Sequence, residues 1–169
     1  AYLDESGLAE DTIVIYTSDQ GFFLGEHGLY HKRFIYEESL RVPLLVRWPG
    51  TVKAGSVSDE LVLNLDSAPT LLDMAGRQVP DDMQGRSLVP LLQGEPIKDW
   101  REAFYYRYYF SHFDTPAHTG LRTRNMKLIH FEDLDLWELY DLDEDSSEMS
   151  NLAENPEYRE QLTRLRGQL

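Results

Sequence analysis

The sequence predicts an α/β segment followed, from about residue 96, by a small α+β subdomain with an antiparallel sheet and a packed C-terminal helix. Three observations carry this. Thr12-Ile13-Val14-Ile15-Tyr16 and Val42-Pro43-Leu44-Leu45-Val46 are apolar runs without polar alternation, the pattern of strands buried on both faces of a parallel sheet. Aromatic or β-branched runs then follow one another over 103–110, 121–124, 127–131 and 136–140, as in an antiparallel sheet. Last, Tyr158, Leu162, Leu165 and Leu169 place one apolar stripe on a terminal helix that should lie on that sheet.

Taken in order, residues 1–10 read as the end of a helix closed near Gly7, and 12–17 as a strand. Residues 36–40 suit a short helical turn, and 42–48 a second buried strand stopped by Pro49-Gly50. The segment 64–76 has helix marks: Asp66 or Ser67 to cap it, Pro69 in its first turn and Gly76 just past its end. Residues 79–94 are loop-rich around Leu88, Leu91 and Leu92. The character changes near Glu95-Pro96-Ile97-Lys98-Asp99, which sets the expected division at 1–95 and 96–169. Arg124-Asn125-Met126 reads as a hairpin turn, and Asn155-Pro156 as the start of the last helix.

The 169 residues are 41% hydrophobic and 27% charged, enough to bury a core. A net charge of −14 argues against nucleic acid or an anionic membrane as partner. Without cysteine there is no disulfide, thiolate metal site or cysteine nucleophile in this chain. The first residues show no basic start and no apolar signal core, and open as if in mid-helix, so a larger N-terminal part is expected to precede them. From Glu132 to Glu148 nine acids occur with no Lys or Arg, which reads as a solvated acidic face.

The chemistry concentrates in Thr17-Ser18-Asp19-Gln20-Gly21 through His31-Lys32-Arg33, a loop that follows an apolar strand and carries glycines at 21, 25 and 28. Asp19 and Gln20 are hard oxygen donors suited to Ca²⁺ or Mg²⁺, but two donors fall short of the six to eight that Ca²⁺ takes. Asp19 before Gly21 equally suits a plain turn. Lys32, thirteen residues after Asp19, could meet a bound oxyanion or form a surface ion pair with Glu37 or Glu38. His27 and His31 titrate near neutrality and are candidates for acid/base work or loop hydrogen bonding, the latter favoured for His31.

The run from Thr17 to Gly50, T-S-D-Q-G-F-F-L-G-E-H-G-L-Y-H-K-R-F-I-Y-E-E-S-L-R-V-P-L-L-V-R-W-P-G, closely resembles the C-terminal half of the type I, formylglycine-dependent sulfatases of the alkaline-phosphatase-like superfamily. Leu63-Asn64-Leu65-Asp66-Ser67-Ala68-Pro69-Thr70, Gln84-Gly85-Arg86-Ser87-Leu88, Gly120-Leu121-Arg122-Thr123, Lys127-Leu128-Ile129 and Glu138-Leu139-Tyr140-Asp141-Leu142 continue the resemblance in register. The wording looks most like the bacterial N-acetylglucosamine-6-sulfatase branch. The resemblance implies Asp19 and Gln20 as calcium ligands and Lys32 as the contact to the sulfate ester and its leaving oxygen. It implies His118 as a histidine facing substrate, with Arg107 and Tyr109 as substrate-pocket walls; plain strand packing is the competing reading for the last two. The family's formylglycine is made from Cys or Ser in a Cys/Ser-x-Pro-x-Arg motif, which is absent here; Ser67-Ala68-Pro69 mimics its start but lacks the Arg and reads as helix-start chemistry. The implied protein hydrolyses sulfate esters of a sulfated carbohydrate in the periplasm or outside the cell, and this chain, without its N-terminal sulfatase half, is expected to be inactive. A phosphonate or phosphate monoester hydrolase of the same superfamily, or a non-catalytic glycan-binding module, are the competing readings.

Overall fold

The computed structural model describes residues 2–112 and 115–169; Ala1, Phe113 and Asp114 lie outside the described residues. Along the chain the elements are α1 (Tyr2–Glu5), β1 (Val14–Thr17), β2 (Phe23–Leu24), β3 (Tyr30–His31), α2 (Glu37–Leu40), β4 (Leu44–Arg47), α3 (Ser67–Met74), α4 (Val89–Gln93), β5 (Ala103–Tyr108), β6 (His118–Thr123), β7 (Met126–Phe131), β8 (Leu136–Asp141) and α5 (Arg159–Arg166). They group into two compact units: residues 2–19 with Pro43–Trp100, and Gln20–Val42 with the chain from Arg101 onward. This division differs from the expected one at 95/96, because the 20–42 segment packs with the C-terminal sheet.

In the first unit β1 pairs with β4, from Val14↔Arg47 to Thr17↔Leu44. The pairing is antiparallel, which corrects the expectation of a parallel sheet. The strands are not buried on both faces either: Tyr16 and Leu45 are 62% and 64% exposed. Two strands are too few to cover their own apolar faces. The helix expected over 64–76 forms as a 3₁₀ turn, Asn64–Asp66, leading into α3, with Gly76 at φ +63° beyond its end. Asp66 does not cap α3, contrary to expectation. Its buried carboxylate instead accepts from Leu63 N–H and Arg86 N–H, both at 2.8 Å, tying two distant segments together. Such burial is tolerated because both oxygens are bonded.

The second unit is built on an antiparallel sheet in the order β5-β6-β7-β8. Arg124-Asn125 is the two-residue turn between β6 and β7, as the sequence predicts. β6 starts at His118, earlier than the predicted 121. Period-two alternation sorts the side chains between two faces. Leu121, Met126, Leu128 and Leu139 form one face, covered by Leu165 with Tyr158, Leu162 and Leu169 of the C-terminal segment, so the predicted stripe lies where expected. Burying each such leucine contributes about 1.5–3 kcal/mol. Asn155 caps the 3₁₀ turn leading into α5 through Glu157 N–H at 3.0 Å. On the opposite face Ile129, Phe131 and Tyr140 pack against Phe23, Ile35 and Tyr36 of the 20–42 segment. Gly120 permits that approach: a Cβ there would lie 2.5 Å from Ile35 Cδ1. The outer edge of β8 is occupied too. Asn151 Oδ1 accepts from Leu139 N–H (3.0 Å), its Nδ2 donates to Trp137 O (3.0 Å), and Leu152 N–H donates to Leu139 O (2.8 Å).

Candidate active site

Asp19 sits two residues past β1, exposed, at the end of the first unit. Asn64 Nδ2 donates to its carbonyl at 2.6 Å, and Ser18 Oγ lies 3.4 Å from Oδ1. Gln20, half-buried, opens the second unit. Among the described residues no group of three or more His, Cys, Asp or Glu gathers as a metal cage. The exposed Asp19 carboxylate, on a backbone anchored by Asn64, fits one ligand of a hard-cation shell and not a whole one.

The loop from Gln20 onward folds back onto α2. Gly21 N–H donates to Ser39 O and Phe22 N–H to Glu38 O, both at 2.8 Å. Only glycine fits at 21, since a Cβ would stand 1.9 Å from Glu38 O. His27 takes φ +53°, stacks on Tyr36 at 4.3 Å and lies 3.4 Å from Glu38, which makes it a packing residue of the loop. His31 takes φ +107°, a strained backbone immediately before exposed Lys32. Ser39 Oγ donates to Lys32 O at 2.8 Å.

α2 is fixed by a buried ion cluster on the sheet. Lys127 is wholly buried; its ammonium meets Ile35 O (2.8 Å), Glu37 Oε1 (2.9 Å) and Glu148 Oε1 (2.7 Å). Arg122 Nε reaches Glu37 Oε1 at 3.1 Å, and Glu37 N–H donates to Glu148 Oε2 at 2.7 Å. Two cations thus balance two anions. Burial pushes the Glu37 carboxyl up, but the Arg122 hydrogen bond and the Lys127 charge outweigh it and hold it below the usual range. For Glu148 burial outweighs Lys127 and raises it. Beside them Tyr36 and Tyr140 both donate to Glu138 Oε2, at 2.7 and 2.9 Å, and burial with that carboxylate pushes both phenols up.

His118 is wholly buried on the same face. Phe34, Tyr106 and Tyr108 stack near-parallel to its ring at 5.7, 5.5 and 5.5 Å. Its Nδ1 lies 2.9 Å from Pro116 O, and its buried Nε2 has no partner among the described residues. Burial lowers its pKa, which keeps the ring neutral. Because Phe34 follows Lys32 by two residues and Tyr106 Oη donates to Arg33 O (3.3 Å), the lysine-bearing segment runs beside His118. Arg107 and Tyr109 stand elsewhere. Arg107 pairs with Thr119, on the face opposite His118, where it meets Glu132 at 3.1 Å and covers the Tyr109 ring at 5.3 Å. Tyr109 is 68% exposed and helps line a shallow hollow of about 470 Å³ over 107–112.

A family described as N-sulphoglucosamine sulphohydrolase, C-terminal, matches residues 25–169. The chain belongs to this sulfatase family. It is similar to the N-acetylglucosamine-6-O-sulfatase of Bacteroides thetaiotaomicron, at 51% identity over 93% of the chain and 29% of that protein. A solved structure described as a complex with its substrate D-glucosamine-2-N,6-O-disulfate superposes with a TM-score of 0.92 at 48% identity, over 99% of the chain and 35% of that protein. The phosphonate monoester hydrolase of Silicibacter pomeroyi superposes with a TM-score of 0.84 at 31% identity, over 99% of the chain and 35% of that protein. The chain therefore spans about a third of the length of the relatives it matches, and its fold is that of alkaline-phosphatase-like sulfatases.

Sequence reasoning missed the ion cluster of this sulfatase chain. Glu148 was expected in a solvated acidic run and is instead buried; the run is not one uniform face. The signal lay in Met126-Lys127-Leu128-Ile129, a lysine inside an apolar strand, which needs a buried partner. No helix of the described residues is long and apolar enough to cross a membrane.

Proposed function

We propose that the protein carrying this chain is a sulfuric ester hydrolase acting on a sulfated sugar of glycosaminoglycan type. The observation that supports it most is the superposition on a structure solved with a disulfated glucosamine as substrate. In this reading residues 1–95 belong to the catalytic α/β domain, with 20–42 as the part of it that packs on the sheet of the adjoining subdomain, 96–169. Lys32 offsets the sulfate charge and the charge that develops on the leaving oxygen, a contact that a dry site strengthens. His118 is its acid/base and substrate-binding candidate, and the exposed Arg107–Tyr109 pair, on the other side of the strand pairing from His118, is a substrate-binding candidate only. Burial favours the neutral imidazole of His118, and with Nδ1–H directed at Pro116 O its Nε2 is left as the atom that can accept a proton. Asp19 and Gln20 would hold part of a Ca²⁺ shell completed by the N-terminal sulfatase half, where formylglycine would supply the nucleophile. The periplasm or the exterior of the cell is the compartment that the family resemblance supports for such an enzyme.

The test uses the whole protein with three substrates: a 6-O-sulfated N-acetylglucosamine, an aryl sulfate and a phosphonate monoester. Preferred turnover of the sulfated sugar is expected, with no turnover by the 169-residue chain alone. Preference for the phosphonate would move the protein to the competing hydrolase class, and no turnover of any of the three would favour a glycan-binding role.

A further inference from the structure

We infer that Ser39 is a positioning residue for Lys32, and that the buried Glu37–Lys127–Glu148 cluster holds Ser39 where it reaches both limbs of the loop. The inference rests on the sulfatase reading for its catalytic meaning. Ser39 is 7% exposed and uses both of its polar ends on the loop. Its hydroxyl donates to Lys32 O at 2.8 Å, and its carbonyl accepts from Gly21 N–H at 2.8 Å. One residue of α2 therefore binds the start of the loop, next to Gln20, and its end, at Lys32. The close passage of Gly21 over Glu38 O leaves no slack on the first limb. On the second limb, His31 at φ +107° fixes the direction in which the chain enters Lys32.

The turn is anchored from beneath. Glu148 accepts the Glu37 N–H at the start of α2, and Lys127 grips Ile35 O and the Glu37 side chain. A buried ion cluster gives no clear stability advantage over a well-packed apolar one, because desolvation offsets the attraction. What it imposes is one geometry, since each charge tolerates only the arrangement that satisfies it. Here that geometry sets the height and rotation of α2, and through Ser39 the position of the Lys32 backbone.

The experiment compares Ser39→Ala, Ser39→Thr and Glu148→Gln in the whole protein, each with and without Lys32→Ala. Misplacement of a reacting contact by about 1 Å costs on the order of 10²-fold. Ser39→Ala is expected to lower kcat by roughly 10- to 100-fold with KM within about threefold, Ser39→Thr to restore most of it, and Glu148→Gln to fall between. In the Lys32→Ala background, Ser39→Ala should cost nothing further. A penalty that persists without the Lys32 side chain would mark Ser39 as merely structural and overturn the inference. Amide hydrogen exchange of residues 20–32 gives a readout independent of turnover: faster exchange in Ser39→Ala is expected, and unchanged exchange overturns the inference even if the protein proves not to be a sulfatase.

Discussion

Lys127→Met removes the cation at the centre of the buried cluster while keeping most of the length of the side chain. Three acceptors lose a partner: Ile35 O, Glu37 Oε1 and Glu148 Oε1. They do not lose equally. Glu37 keeps the Arg122 guanidinium at 3.1 and 3.3 Å, whereas Glu148 keeps only the Glu37 N–H among the contacts described above. Breaking a buried pair costs about 3–5 kcal/mol. The Glu148 carboxyl is already raised by burial, so in the variant it takes up a proton instead of remaining a bare anion, which places the loss near the lower end, about 3 kcal/mol. The sign follows from linkage. A carboxyl raised in the folded state binds more protons than in the unfolded chain, so the variant's stability is greatest at acid pH and falls as pH rises through the raised value. Urea unfolding followed by tryptophan fluorescence, at pH 5 and pH 8, measures this; the deficit should be larger at pH 8, and Lys127→Met with Glu148→Gln should recover part of it. A loss below about 1 kcal/mol at pH 8 would refute the reasoning, because the cluster would then not be a paired, desolvated one.

Lys32→Ala should lower turnover by on the order of 10²-fold or more, in the manner of a lost oxyanion donor, with the fold unchanged by circular dichroism. Asp19→Ala should remove most bound calcium and activity together, read by metal analysis and turnover, while the melting temperature without added calcium stays near wild type. Gly21→Ala drives a Cβ into Glu38 O; overpacking of about 1–3 kcal/mol is expected in unfolding experiments, with faster proteolysis of the loop. His118 has its pKa lowered by burial, so the unfolded chain binds its proton first as pH falls. Its contribution to stability is present above about pH 6.5 and lost below it, and His118→Gln should flatten the melting temperature between pH 7.5 and pH 5.5 relative to wild type.

The C-terminal sheet and helix were legible because their signals are local: period-two runs, an Asn-Pro start and a stripe at helical spacing. The pairing of β1 with β4 was not, and the apolar runs without alternation misled about burial too: they do not say what a strand pairs with, and both strands are largely exposed in the pair. Asp66 misled for a similar reason. A capping residue type before a helix predicts a bond to that helix, while its carboxylate serves Leu63 just before it and Arg86, twenty residues on. Asp19, Gln20 and Lys32 stand out in the sequence through motif and spacing, and their roles remain those proposed above. The partition of Arg107 and His118 between sheet faces needed strand register, and the partners of Lys127 lie 90 residues upstream and 21 downstream, beyond any local pattern.

Asn151 has a consequence for the chain's behaviour in company. With one amide side chain and the peptide that follows it, the protein occupies the Trp137 carbonyl and both backbone groups of Leu139 on the rim of β8. An intruding strand would have to evict three hydrogen bonds before forming its first, so this rim of the sheet resists templating a neighbour. The rim of β8 is thus closed by the covalent stretch that leads from it to α5.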